Sequence, residues 1–207
     1  IFNITDAIEG AGGIVIECDF DSRHIDGFSK WKNPASPPLF FVNRSLPPDR
    51  WRWTLAHELG HLLMHSGEMP REGMEREADM FAEEFLMPEA AIKGQLVVPN
   101  LPKLASLKVH WKVSLAALVE RAYHLQAISP RQRTTLWQAL SRAGYRLREP
   151  EDLDPPREPP TALHELVTFH LRKLGYTVSE LAASLSLNEG EFQALYLQGQ
   201  RGLTRIK

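Results

Sequence analysis

The sequence predicts an α+β fold, a small N-terminal β-sheet with the helices of a candidate site, followed by an all-helical C-terminal region. Three observations predict it. The β-rich runs, residues 14–18 and 39–43, both precede residue 44; from about residue 49 onward apolar residues recur at helical spacing; and 207 residues, 43% hydrophobic and 24% charged, suffice for a real core. A chain of this length buries about 70% of its unfolded surface, so a metal is not needed as a staple.

In chain order, Asn3 caps a short helix, and Gly12-Gly13 breaks it before the run Ile14-Val15-Ile16-Glu17-Cys18. Asp26-Gly27 is read as a hairpin turn leading to Leu39-Phe40-Phe41-Val42-Asn43, introduced by Pro37 and Pro38. Pro47, Pro48 and Asp49 stand where a helix to about residue 66 begins, and a second helix ends at Pro88. Helical periodicity returns at 101–109, 114–125, 130–143, 161–175, 178–186 and 188–197. Residues 149–160 hold five prolines and five acids and read as a linker.

The net charge is −2 but unevenly spread, with eight acids and two bases in 66–91 and nine bases against Glu120 alone in 101–148. No apolar run reaches the ~20 residues of a membrane span, and Ile1 to Gly10 lack a secretory signal, so a soluble, cytoplasmic protein is expected. The lone cysteine, Cys18, fits a reducing compartment and is read as a core residue; any metal site must use His and carboxylates. A start at Ile1 without Met leads us to expect a preceding segment.

The strongest chemical signal is His57-Glu58-Leu59-Gly60-His61. Two His four residues apart on a helix lie about 40° apart around its axis and can share one ion. Leu55, Leu59, Leu62 and Leu63 cluster on the other side, for the core. Glu58, about 100° from His57, sits beside the metal position, where a carboxylate can take a proton from water. Chance produces such a spacing too, so a third ligand decides. A catalytic zinc takes three protein ligands and keeps one open position. On the next helix Glu75 and Asp79 lie along the edge of the apolar face. Glu75 is the expected ligand and Asp79 an acceptor that orients a ligating imidazole, with Glu77 the alternative ligand. His65 is a further alternative, but three His along one straight helix spread too far to converge, so it is read as a hydrogen-bonding group in the cleft or a helix-end cation.

The stretch Trp53-Thr54-Leu55-Ala56-His57-Glu58-Leu59-Gly60-His61-Leu62-Leu63-Met64-His65, followed by Glu75 to Pro88, closely resembles the ImmA/IrrE family of zinc metallopeptidases. Asp26-Gly27 and Val42-Asn43 also look like that family's N-terminal strands. The resemblance covers about residues 1–125, leaving 126–148 as a helical extension, 149–160 as the linker and 161–207 as a helical C-terminal module. It implies a minimal zincin-like domain, Zn2+ held by His57, His61 and Glu75, and Glu58 as catalytic acid and base. It also implies an anti-repressor that cuts or inactivates a helix-turn-helix repressor, often behind an N-terminal helix-turn-helix domain that would contact nucleic acid. For the oxyanion donor, His24, His65 and Tyr123 are the candidates.

The basic segment 101–148, with Trp111 and Trp137, fits either a nucleic-acid surface or the solvated face of amphipathic helices with the tryptophans in the core; the second reading is preferred. Residues 176–195 have the cadence of a helix-turn-helix, but Glu189 and Glu191 at the start of the second helix would repel phosphate, so they are read as a packing or homo-oligomerisation module. His164 and His170, six apart, face different ways and mimic no metal pair. Two functions remain: a zinc endopeptidase with a protein substrate, and a non-catalytic zinc-containing regulator that binds a repressor or nucleic acid. Glu58 favours the first, because a binding module needs no proton acceptor beside its metal.

Overall fold

The computed structural model describes residues 1–20, 25–65, 72–146, 148–197 and 203–206. The chain forms two compact units, Ile1–Phe2 with Pro47–Arg157, and Asn3–Leu46 with Glu158–Lys207.

The second of these holds the sheet. Helix α1 (Ile4–Gly10) starts where the Asn3 side chain accepts from Asp6 N, and buries Ile4 and Ile8. Gly12 follows at φ +93°, and a Cβ on Gly13 would meet Ile8 Cγ2 at 2.7 Å, so this turn closes only around glycine. Strands β1 (Ile14–Phe20), β2 (Gly27–Lys30) and β3 (Leu39–Asn43) form the sheet with a fourth, β4 (Leu203–Ile206), in the order β2-β3-β1-β4. Phe40 and Val42 alternate into the core, while Phe28 stacks on Phe41 at 4.6 Å on the other face. Cys18 is fully buried; burial, then the charges of Asp19 and Glu17, push its thiol up to about 11.

Two expectations need correction here. Asp26-Gly27 is not a turn joining β1 to β3: those strands run parallel, and the antiparallel partner of β3 is β2, which begins at Gly27 itself. Four half-exposed residues carry too little alternation to announce β2. The C-terminal region is helical through residue 197 but adds β4, parallel to β1. Leu203–Ile206 has no periodicity of its own; the edge of β1 selects it.

In the same unit α8 (Ala162–Arg172), α9 (Val178–Ser184) and α10 (Glu189–Phe192), the last extended by a π turn over 193–197, enclose a core of Val167, Ala182 and Phe192. The acids at their starts have local work: Glu180 and Glu191 complete capping boxes with Thr177 and Asn188. Glu9 accepts from Thr161 N and Ala162 N at the start of α8, and Glu158 accepts from Ile4 N at the start of α1. His164 and His170 engage Thr168 and the Leu166 carbonyl in their own helix.

The other unit is helical: α2 (Pro48–Met64), α3 (Met74–Leu86), α4 (Glu89–Ile92), α5 (Leu101–Trp111), α6 (Leu115–His124) and α7 (Pro130–Arg142). Its core takes Trp51, Leu55 and Leu62 from α2, and Ala78, Ala82 and Leu86 from α3. Leu63, expected inside, is 61% exposed, because the last turn of α2 buries only the face that carries Leu62 and His65, while nearer the start of the helix even Arg52 is sealed. Arg52 donates instead to the carbonyls of Lys112, Phe2 and Ile1.

The basic segment 101–148 is not simply a solvated face. Lys108 is fully buried against Asp49, Glu149 and Asp154; Arg121 meets Glu83 and Glu84; Arg133 meets Glu120. The two tryptophans are half-buried, with indole N–H groups donated to Gln95 and Glu120. No helix among the described residues is long and apolar enough to cross a membrane.

Candidate metal centre

Helix α2 carries the histidines, and its geometry decides which of their atoms meet. His57 Nε2 and His61 Nε2 lie 3.0 Å apart. Glu75, in the first turn of α3, reaches back with Oε2 at 3.3 Å from His57 Nε2 and Oε1 at 3.3 Å from His61 Nε2. The three donor atoms lie within 4.8 Å of one another, and among the described residues no other His, Cys, Asp or Glu cluster meets that condition. Donors around a tetrahedral zinc, with bonds of about 2.0–2.1 Å, stand about 3.3 Å apart, so the spacing of these three residues suits three of its donors.

The far side of each ring is also engaged. His57 Nδ1 lies 2.9 Å from Asp79 Oδ1. With Nδ1 donating to that carboxylate, Nε2 presents a lone pair. Lone pairs and a carboxylate aimed at one point repel each other unless a cation lies between them, so the donor set fits a divalent ion, and two imidazoles with one carboxylate suit zinc.

A proton is the competing cation. Burial pushes the His57 imidazole down, but the hydrogen bond to Asp79 and the charges of Asp79, Glu58 and Glu75 outweigh it, and His57 titrates above the ordinary histidine value. In the metal-free protein this stabilisation is fully present below the unfolded histidine value and is lost as pH rises through the folded one. Metal binding runs the other way, since it needs neutral His57. Apparent zinc affinity is expected to rise below that value by at least about one decade per pH unit, since His57 alone contributes one, and to flatten above it, as titrations with a chelating dye from acid to alkaline pH would read. A flat profile from about pH 5 upward would exclude His57 as a ligand.

His65 Nδ1 lies 3.0 Å from His61 Nδ1, and His65 Nε2 lies 2.8 Å from Glu77 Oε2. Glu77, the alternative third ligand, is therefore turned to His65. With both nitrogens engaged, His65 is neither a ligand nor a free N–H for an oxyanion. Tyr123 packs under the Arg133 guanidinium, 4.9 Å from ring centroid to charge, and His24 lies outside the described residues. Glu58 is half-buried on α2 and its charge is felt at His57.

The His65–Glu77 pair is not legible in the sequence, where Glu77 shows only its angle from the buried face of α3. At the first turn of α3 the relevant neighbour is the C-terminal end of α2, where His65 sits. A long-range cue to that antiparallel approach is Gly60: a Cβ there would stand 3.1–3.2 Å from Phe81 Cδ1, Cβ and Cγ. Because Phe81 Cβ is fixed by its backbone, Gly60→Val must push α3 away and carry Glu75 from the histidines. A stability loss of about 1–3 kcal/mol is expected in thermal unfolding, with weaker zinc binding; unchanged values in both would show that the helices have room to spare.

No curated protein matches the chain. The family pattern described as the IrrE N-terminal-like domain, Peptidase_M78, matches residues 9–123. That stretch contains the convergent His57, His61 and Glu75, with Glu58, and exceeds half of the 207 residues, so the chain belongs to the IrrE N-terminal-like peptidase family.

Proposed function

We propose that this peptidase is a cytoplasmic, zinc-dependent endopeptidase acting in gene regulation, and that it cleaves a helix-turn-helix transcriptional repressor. The observation that carries the metal chemistry is the convergence of His57 Nε2, His61 Nε2 and Glu75 at 3.0–3.3 Å. The repressor as substrate rests on the family resemblance.

Held by His57, His61 and Glu75, zinc would supply Lewis acidity, which lowers the pKa of water toward neutrality and polarises a carbonyl. Glu58, adjacent to His57 on α2, accepts the proton of the attacking water. As the C–N bond breaks, Glu58 returns that proton to the leaving amine. Asp79 holds His57 with Nε2 turned to the site.

The test maps new protein N-termini by mass spectrometry in host cells that express the wild type or Glu58→Gln under stress. New termini confined to the wild type and concentrated in one transcription regulator would support the proposal and identify the cut site. Identical termini, with purified protein that binds zinc, would transfer support to the non-catalytic regulator.

A further inference from the structure

His65 ends α2, where its backbone N–H donates to His61 O at 2.9 Å, and its side chain is only 2% exposed. A sealed position of this kind ordinarily takes an apolar residue. Here it takes an imidazole with both nitrogens in use, 3.0 Å from His61 Nδ1 and 2.8 Å from Glu77 Oε2.

The chain of donors has a direction. A carboxylate only accepts, so His65 Nε2 carries a proton and donates it to Glu77. An imidazole that carries its one proton at Nε2 offers a lone pair at Nδ1, which calls for a proton on His61 Nδ1. That assignment leaves His61 Nε2, the atom facing His57 and Glu75, unprotonated. We propose that His65 and Glu77 form a positioning relay that fixes His61 in the tautomer able to take a metal ion. The inference rests on the metal-site reading above and deepens it. At His57 the same task needs one carboxylate, Asp79; at His61 it needs two side chains, because an imidazole fills the place beside Nδ1. Neither His65 nor Glu77 reaches the metal position, so both are positioning residues.

The experiment compares the full-length chain with His65→Phe, which keeps a ring and removes both nitrogens; His65→Asn, which returns an acceptor near the Nδ1 position; and Glu77→Ala. Zinc affinity is read by competition with a chelating dye, and the His61 tautomer by long-range nitrogen–proton NMR of the metal-free protein. His65→Phe and Glu77→Ala are expected to weaken zinc binding by about 10–100-fold and to mix the His61 tautomers, while His65→Asn restores most of both. Unchanged affinity in folded His65→Phe and Glu77→Ala, or a His61 tautomer that neither substitution alters, would overturn the relay. Should His65→Phe fail to fold, Glu77→Ala decides alone, since Glu77 is 44% exposed. A wild type that binds no zinc would overturn the metal-site reading instead, and the metal-free tautomer spectrum would still decide the relay.

Discussion

Lys108→Met is expected to lower the unfolding free energy by about 3–5 kcal/mol, the usual cost of removing one partner from a buried charge cluster. The Lys108 ammonium, fully buried in α5, bonds Asp49 in the first turn of α2 and stands 3.0 Å from Glu149 and 3.7 Å from Asp154. Methionine keeps most of the packed methylenes but leaves the carboxylates without their cation. Asp154 retains Arg148 at 2.6 Å, so the uncompensated charge falls on Asp49 and Glu149. Against a total stability of about 5–15 kcal/mol this is a large fraction. It would appear as a lower urea midpoint at unchanged slope. Burial pushes the Lys108 ammonium down, but Asp49 and Glu149 outweigh it and hold the group above the ordinary lysine value. A raised value means stabilisation fully present below about pH 10.5 and lost as pH rises through the folded value, so the cluster stays intact at neutral pH. A Met variant as stable as the wild type would mean that water already solvates these carboxylates. Because Asp49 anchors the start of α2, weaker zinc binding should accompany the destabilisation.

Why the paired histidines were legible and the Lys108 cluster was not comes down to distance along the chain. His57 and His61 are four apart, and one turn of helix fixes their relation before any tertiary contact forms. Glu75 and Asp79 needed only the edge of one apolar face on the following helix. Lys108 finds partners 59, 41 and 46 residues away, and nothing in the local periodicity of 101–109 separates it from a solvated lysine. The same distance hid the work of the proline-rich segment: Glu149 caps α6 at Leu115 N, and Glu158 caps α1 at Ile4 N, although both read locally as linker acids. Strands β2 and β4 were missed because four residues hold too little pattern; their pairing comes from the edges of β3 and β1. Glu77 is visible as an acid of α3 but its partner His65 is not, since a helical wheel records angle and not which end of which neighbour lies opposite.

Glu58→Gln is expected to retain zinc and to lose about 10²–10⁴-fold in turnover, the range that a positioned general acid–base contributes. The two halves of this result have separate physical causes. Zinc is retained because the donors that converge are His57, His61 and Glu75, and glutamine preserves the volume of a half-buried side chain without touching them. Turnover falls because an amide cannot accept the proton of water or return it to an amine. A third consequence has a definite sign. The Glu58 charge is among those that hold His57 above the ordinary histidine value, so its removal weakens the proton's hold on His57. The rise of zinc affinity with pH should therefore shift toward acid in the variant. Were Glu58 itself a ligand, the substitution would in addition weaken zinc at every pH, including the alkaline plateau where His57 is already neutral. The plateau affinity thus separates a proton carrier from a metal ligand before any substrate is known, and cleavage at the wild-type rate by a zinc-loaded Glu58→Gln would place the proton acceptor on another residue.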